Sequence, residues 1–311
     1  MTRPSFPSIL AALSAVVIAV ASAATAAAQP KVVVTIKPVH ALVLEIMRGV
    51  AEPTLLVASS SPHTYAITPH AAVALNHASL FIRVSPTIEP FTEKLVAALP
   101  PSVEVVTLVD VPGLELLGMR RGPGFDRDAS LLHAHAAGAI DGHVWLDPAN
   151  ARVMVAHIAR VLSRADPAHA ERFASNARAL DVKLEALAAE LAGVLEPVAD
   201  RPYVVFHDAM QYFERRFRLS PVGSIAISPD IPPSGRRLLE LKHRMKAAGV
   251  VCVFAEPQLP AGLVATVVEG TGARVGTLDP EAIALAPSAD LYFRLMRGLA
   301  ADVTRCLSTP V

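Results

Sequence analysis

Apolar residues recur in this chain in two rhythms. Short continuous runs rich in Val, Ile and Phe alternate with longer stretches in which apolar residues return every third or fourth position. The first rhythm suits strands buried on both faces, and the second suits amphipathic helices. Their alternation predicts parallel sheets covered by helices. Strands are expected at 31–36 (KVVVTI), 54–58, 80–84 and 103–109. Helices are expected at 39–49, ending on a glycine, at 69–77, with Pro69 in the first turn, and at 88–99. Strands resume at 203–206 (YVVF), 222–227, 250–254 and 274–278. Helices at 209–217 and 235–248, another before the last strand and a final one near 290–306 complete this half.

One helix stands apart. Between 167 and 196, Phe173, Ala177, Leu180, Leu184, Leu187, Leu191 and Val194 recur in steps of four and three, forming one continuous stripe. At 1.5 Å per residue this helix would be about 45 Å long. Asp166-Pro167 supplies a cap and a first-turn proline, and Glu196-Pro197 ends it. The stripe reads as packing along the protein's own body. The expected organisation is α/β, with an N-terminal lobe at 29–165, a linking helix at 166–198 and a C-terminal lobe at 199–311. An irregular stretch at 111–142, rich in Gly, Arg and Asp, is long enough to suggest a functional loop.

Residues 1–28 change the picture of where the protein works. Arg3 precedes an apolar run that ends in Ala26-Ala27-Ala28, the pattern of a cleaved signal peptide. An uncleaved anchor is disfavoured because the second half of the run is mostly Ala. No cysteine adjoins this site to carry a lipid, and no second run resembles a membrane span. The protein is therefore expected to be exported, without stable membrane insertion after cleavage. Cys252 and Cys306 are the two cysteines, and an even pair in an exported chain suggests a disulfide. The loop it closes would be worth roughly 4 kcal/mol. Lys and Arg total 28 against 28 Asp and Glu. That balance argues against a nucleic-acid partner.

The chain holds 11 histidines, and three of them occupy special places. His207 directly follows the strand YVVF. His63 lies in a Ser-Pro-His-Thr-Tyr stretch just after the second strand. His143 opens His-Val-Trp-Leu-Asp-Pro after the irregular stretch. Asp279 follows the strand ending in Thr277-Leu278 and precedes Pro280. Parallel sheets bind ligands beyond the carboxyl ends of their strands. Four such groups, two from each half, would satisfy a four-coordinate ion in a cleft between lobes.

These residues also carry a resemblance. The chain resembles the periplasmic zinc-binding components of ABC uptake transporters, the ZnuA type of cluster A-I metal-binding proteins. The carriers are Thr35-Ile36-Lys37-Pro38, the Pro-His-x-Tyr around His63, and His143-Val144-Trp145-Leu146-Asp147-Pro148. They continue with Val205-Phe206-His207-Asp208-Ala209, Phe254-Ala255-Glu256-Pro257-Gln258 and Gly276-Thr277-Leu278-Asp279-Pro280. The resemblance implies Zn(2+) held by His63, His143, His207 and Asp279 between two lobes. It also implies a long linking helix and a disulfide between Cys252 and Cys306. The implied partners are an inner-membrane ABC permease and, through it, its ATPase. A monomeric receptor rather than an enzyme is expected.

Relatives often carry a long His- and acid-rich loop before the tryptophan motif. This chain has only His133 and His135 there, which are expected to be a solvated remnant rather than a metal-gathering device. Manganese binders of the family generally place a carboxylate where this chain has His207. Three imidazoles and one carboxylate suit zinc better. A zinc hydrolase, with three His ligands and a bound water, is the reading from another class, and Asp279 is the deciding feature: if it binds the metal, no activated water remains. Glu256 is expected either to hold a ligand from behind or act as an alternative ligand, or equally to serve in lobe packing or capping. His40 is expected at a helix cap or on the surface, and Asp208 as a helix cap.

Overall fold

The computed structural model describes residues 29–120, 125, 139–229 and 231–308. The expected signal peptide and the His133/His135 pair lie outside them. Among the described residues, no helix is long and apolar enough to cross a membrane.

The chain builds two parallel four-stranded sheets of identical topology. In the N-terminal lobe, β1 (Val32–Ile36), β2 (Thr54–Val57), β3 (Leu80–Arg83) and β4 (Glu104–Thr107) lie in the order β2-β1-β3-β4. In the C-terminal lobe, β5 (Tyr203–His207), β6 (Pro221–Ala226), β7 (Cys252–Ala255) and β8 (Arg274–Thr277) lie in the order β6-β5-β7-β8. Every pairing is parallel. The first strand of each lobe is central and is buried along its whole length, which is why its sequence is a continuous apolar run rather than an alternation. Strand order reverses beside these central strands, so each sheet has a crevice at its carboxyl edge.

Helices cover both sheets. The N-terminal lobe carries α1 (Lys37–Met47), α2 (Pro69–Asn76) and α3 (Thr92–Ala98). α4 (Pro148–Ala165) and α5 (Ala170–Leu195) pack along each other between the lobes. The C-terminal lobe carries α6 (Gln211–Phe217), α7 (Gly235–Ala248), α8 (Ala261–Val268) and α9 (Leu291–Ser308). α3 starts later than the sequence pattern suggests. Glu89 is buried and accepts hydrogen bonds from the amides of Val84 and Ser85 and from the Thr35 hydroxyl, and Pro90 follows it. Residues 85–91 are held in turns by these contacts instead of entering the helix.

α5 has 26 residues, about 39 Å at 1.5 Å per residue. Its stripe is buried from Phe173 to Leu191 as expected, but Val194 is 41% exposed and Leu195 takes its place at 0%. The difference comes from the end of the helix, which runs directly into a 3-10 turn at Glu196–Val198. The helix belongs to a single core. One apolar cluster runs from Val34 and Leu42 of the first lobe through Leu180, Leu184 and Leu187 of α5 to Phe254, Leu295 and Leu299 of the second. Each sheet's other face has a smaller core of its own.

Cys252 of β7 and Cys306 of α9 form a disulfide, with their Cα atoms 6.1 Å apart. Gly276 of β8 makes room for it, since a Cβ there would sit 2.7 Å from the Phe254 ring and 3.2 Å from the Cys306 sulfur. Replacing both cysteines by alanine is expected to cost about 2–4 kcal/mol, read as a lower urea midpoint in equilibrium unfolding. An unchanged midpoint would show that apolar packing alone secures α9.

Candidate metal centre

The carboxyl edges of the two sheets face each other, and the site forms between them. His207 is the last residue of β5. His63 lies in the turn that follows β2. His143 precedes a single 3-10 turn, Val144–Leu146, that leads into α4. Its neighbour Gly142 is forced by close packing, because a Cβ there would lie 2.6 Å from Ile88 and would also collide with Ser85. Ring nitrogens of these three histidines all lie within 4.8 Å of one another. Nε2 of His207 and Nε2 of His143 are 3.4 Å apart. The ring centroids are separated by 5.4–5.7 Å.

Two rings are fixed from behind by carboxylates. His143 donates its Nδ1–H to Asp141 Oδ1 at 2.7 Å, and its own backbone amide donates to the same oxygen at 3.0 Å. His207 uses the same device: its Nδ1–H meets Glu256 Oε1 at 2.5 Å and its amide donates to that oxygen at 3.1 Å. Each carboxylate sets the tautomer, leaving Nε2 to face the other rings. Asp141 is itself held in register through its carbonyl, which accepts from the Tyr212 hydroxyl at 2.8 Å. That hydroxyl in turn accepts from the Leu117 amide at 3.0 Å.

The electrostatics of the ring pair are unequal. Burial alone would lower His207, but the Glu256 carboxylate beside it, with Glu281 and Asp208 behind, more than reverses this and raises it to about 9. Burial and the charged His207 hold His143 down to about 3. Without an ion, the proton therefore sits on His207, between Glu256 and the Nε2 of His143.

Asp279 is not part of the histidine group. Its Oδ1 accepts from the amide of Ile283 and its Oδ2 from that of Ala284, both at 2.8 Å. It shapes the turn after β8, as an aspartate preceding a proline commonly does. The carboxylate beside the His63 ring is Glu281, two residues on. Its Oε1 lies 3.5 Å from His63 Nε2 and accepts from the Ser61 hydroxyl at 3.0 Å. Its Oε2 accepts from Gln258 Nε2 at 3.3 Å, and the same amide reaches Glu256 Oε2 at 2.9 Å. Burial raises Glu281 to about 7, against the pull of His207.

The remaining expectations resolve differently. Glu256 stands behind His207, in the holding role considered for it. Asp208 is not a cap: both its oxygens accept from Arg120 Nε at 2.9 Å and Oδ1 also accepts from Nη2, and Arg120 Nη2 also reaches Glu214 at 2.7 Å. His40 is buried, not on the surface, and its Nε2 pairs with the Pro53 carbonyl at 2.9 Å. Asp141, Glu281, Arg120 and Tyr212 were not singled out in the sequence. The only local signal was the Asp-Gly-His spacing that puts Asp141 two residues before a ligand. The cavity beside the three rings is lined by Ile88, Met119, Arg120, Ile140 and Asp208 and has a volume of about 30 Å³. An ion or a water fits such a space.

A family model described as "Zinc-uptake complex component A periplasmic" matches residues 32–306. The chain belongs to this family. The high-affinity zinc uptake system protein ZnuA of Brucella suis biovar 1 is 39% identical, with 89% of this chain and 91% of that protein covered. ZnuA of Yersinia pestis is 31% identical, with 90% and 92% covered. Among solved structures, a zinc-bound deletion mutant of ZnuA superposes with a TM-score of 0.74 at 25% identity, covering 91% of this chain and 99% of that one. The laminin-binding protein Lmb of Streptococcus agalactiae, described as having adhesin and metal-transporting activity, gives 0.72 at 26% identity, with 88% and 99% covered.

The geometry of this family member makes Glu256 a positioning group for His207. Glu256→Gln is expected to weaken zinc binding by roughly 10–100-fold, measured by competition with a chromophoric chelator. Full affinity in this variant would show that packing alone orients the ring.

Proposed function

We propose that the protein is a periplasmic solute-binding receptor that captures Zn(2+) between its lobes and delivers it to an ABC permease and its ATPase. The observation that carries this reading is the convergence of three ring nitrogens in a buried cleft. A tetrahedron with zinc–nitrogen bonds of about 2.0–2.1 Å has edges of about 3.3–3.4 Å. The Nε2 atoms of His143 and His207 stand at 3.4 Å, and His63 Nε2 and Glu281 Oε1 at 3.5 Å. In this reading His63, His143 and His207 are ligands, and Glu281 supplies the carboxylate that the sequence suggested from Asp279. Asp279 is tied by two backbone amides, whereas Glu281 already lies 3.5 Å from His63 Nε2 and is held by neutral side-chain donors.

The donor set also favours zinc as cargo. Manganese prefers more oxygen ligands than three imidazoles leave room for. A closed four-ligand site leaves no activated water, which separates a carrier from a hydrolase. One zinc per chain is expected in the protein isolated from the periplasm. Glu281→Gln is expected to weaken zinc binding at least about tenfold, by analogy with losses at supporting carboxylates. Unaltered affinity in that variant would put water in the fourth position and reopen the hydrolytic reading.

Protons compete with the ion, and the sign follows from His207. Zinc needs the neutral ring, and this ring holds a proton up to about pH 9. Affinity should therefore fall as pH falls through the whole range below 9, by about tenfold per pH unit for each proton displaced. Titrations between pH 8 and 6 in buffers of different ionisation enthalpy would show this proton release. Affinity that is flat above pH 7 would mean that Glu256 does not hold the ring charged.

A further inference from the structure

The loop after β8 is secured from the opposite lobe. The Trp145 indole donates to the Pro280 carbonyl at 3.1 Å. The Lys37 ammonium donates to the carbonyls of Ala282 at 3.0 Å, Ile283 at 2.9 Å and Leu285 at 2.8 Å. An ammonium has three donors, and all three are engaged on this one loop. These carbonyls bracket Glu281, one just before it and three after.

Lys37 occupies an unfavourable place for a cation. It is the first residue of α1, where the helix dipole repels positive charge. It is also buried. Burial lowers its pKa, while the Asp279 carboxylate draws it back up. A buried ammonium is tolerated only where its hydrogen bonds are fully met. The loop is also braced from within, by the two amide contacts of Asp279. Ala282, which lies between, has φ +57°, a left-handed conformation that alanine keeps only when its surroundings hold it there.

We propose that Lys37 is a positioning residue for metal capture: from the N-terminal lobe it clamps the 280–285 loop of the C-terminal lobe, so that the Glu281 carboxylate meets the ion without the loop having to order first. This rests on the reading of Glu281 as the fourth ligand. The gain is one of preorganisation, since a loop that ordered only on binding would lose affinity to the entropy of ordering. A clamp of this kind acts through Glu281, whereas a general structural contact would not.

The test is a double-mutant cycle on the full mature chain, with zinc affinity read by chelator competition and metal-free folding read by thermal unfolding. Lys37→Met is expected to weaken zinc binding by about tenfold or more, in line with other supporting residues. In a Glu281→Gln background it should cost nothing further, because residues acting as a unit are not additive. If Glu281→Gln alone leaves affinity intact, the ligand reading fails. If Glu281→Gln weakens binding and Lys37→Met does not, or if the two losses add in full, the clamp is overturned. Should Lys37→Met not fold, Lys37→Arg takes its place. A guanidinium keeps the charge but cannot serve three carbonyls from one nitrogen, and the same cycle is read with the same outcomes.

Discussion

Bringing three imidazoles together in a buried cleft sets the terms for everything around them. Their lone pairs must converge, so each ring has to be fixed against its own preference for water and for partners elsewhere. The protein meets this with one device used twice. A carboxylate oxygen accepts both the ring Nδ1–H and the backbone amide of the same histidine, at Asp141 for His143 and at Glu256 for His207. Binding two atoms of one residue removes both the translation and the rotation of the ring. The two carboxylates come from different lobes, so each lobe holds one of its own rings.

That support requires the lobes to keep their relation. The core is continuous through α5, and polar contacts also cross the seam. Trp145 and Lys37 reach the loop after β8, Tyr292 donates to the Trp145 carbonyl at 2.8 Å, and Tyr212 ties Leu117 to Asp141. A hinge opening wide would have to break buried apolar packing and these bonds together. These contacts oppose a wide hinge swing.

Much of this could be read from the sequence, and the reasons are local. VVVTI and YVVF predict their strands because a central parallel strand is buried on both faces and needs no partner pattern to be recognised. The three histidines were found because each sits where a strand or turn hands over to a loop, which is a property of chain order. The misreadings occur where tertiary surroundings decide. Asp279 and Glu281 are two residues apart on the same turn. Only the amides of Ile283 and Ala284 reveal that the first is a turn former and leave the second facing His63. Val194 continues the α5 stripe on paper, yet the helix end turns Leu195 inward instead. Lys37 and His40 carry polar groups that sequence alone would place outside, and both are buried because backbone carbonyls distant in the chain receive them.

The surrounding charges narrow the choice of fourth ligand. The cleft is ringed by carboxylates, and most have a partner that metal binding would have to displace. Asp141 and Glu256 orient rings. Asp208, adjacent to His207, is tied to Arg120, whose guanidinium also lies over the Phe125 ring at 3.4 Å. Asp279 caps two amides. Glu281 is held by a serine hydroxyl at 3.0 Å and an amide at 3.3 Å, both neutral donors and therefore weaker competitors than a guanidinium or an imidazolium. Burial penalises its charge, as it does that of Asp141, so an approaching dication would relieve a cost there. Among the carboxylates that neither hold a ligand ring nor pair with a guanidinium or turn amides, Glu281 is the one nearest an imidazole, which is what supports it as the proposed fourth ligand.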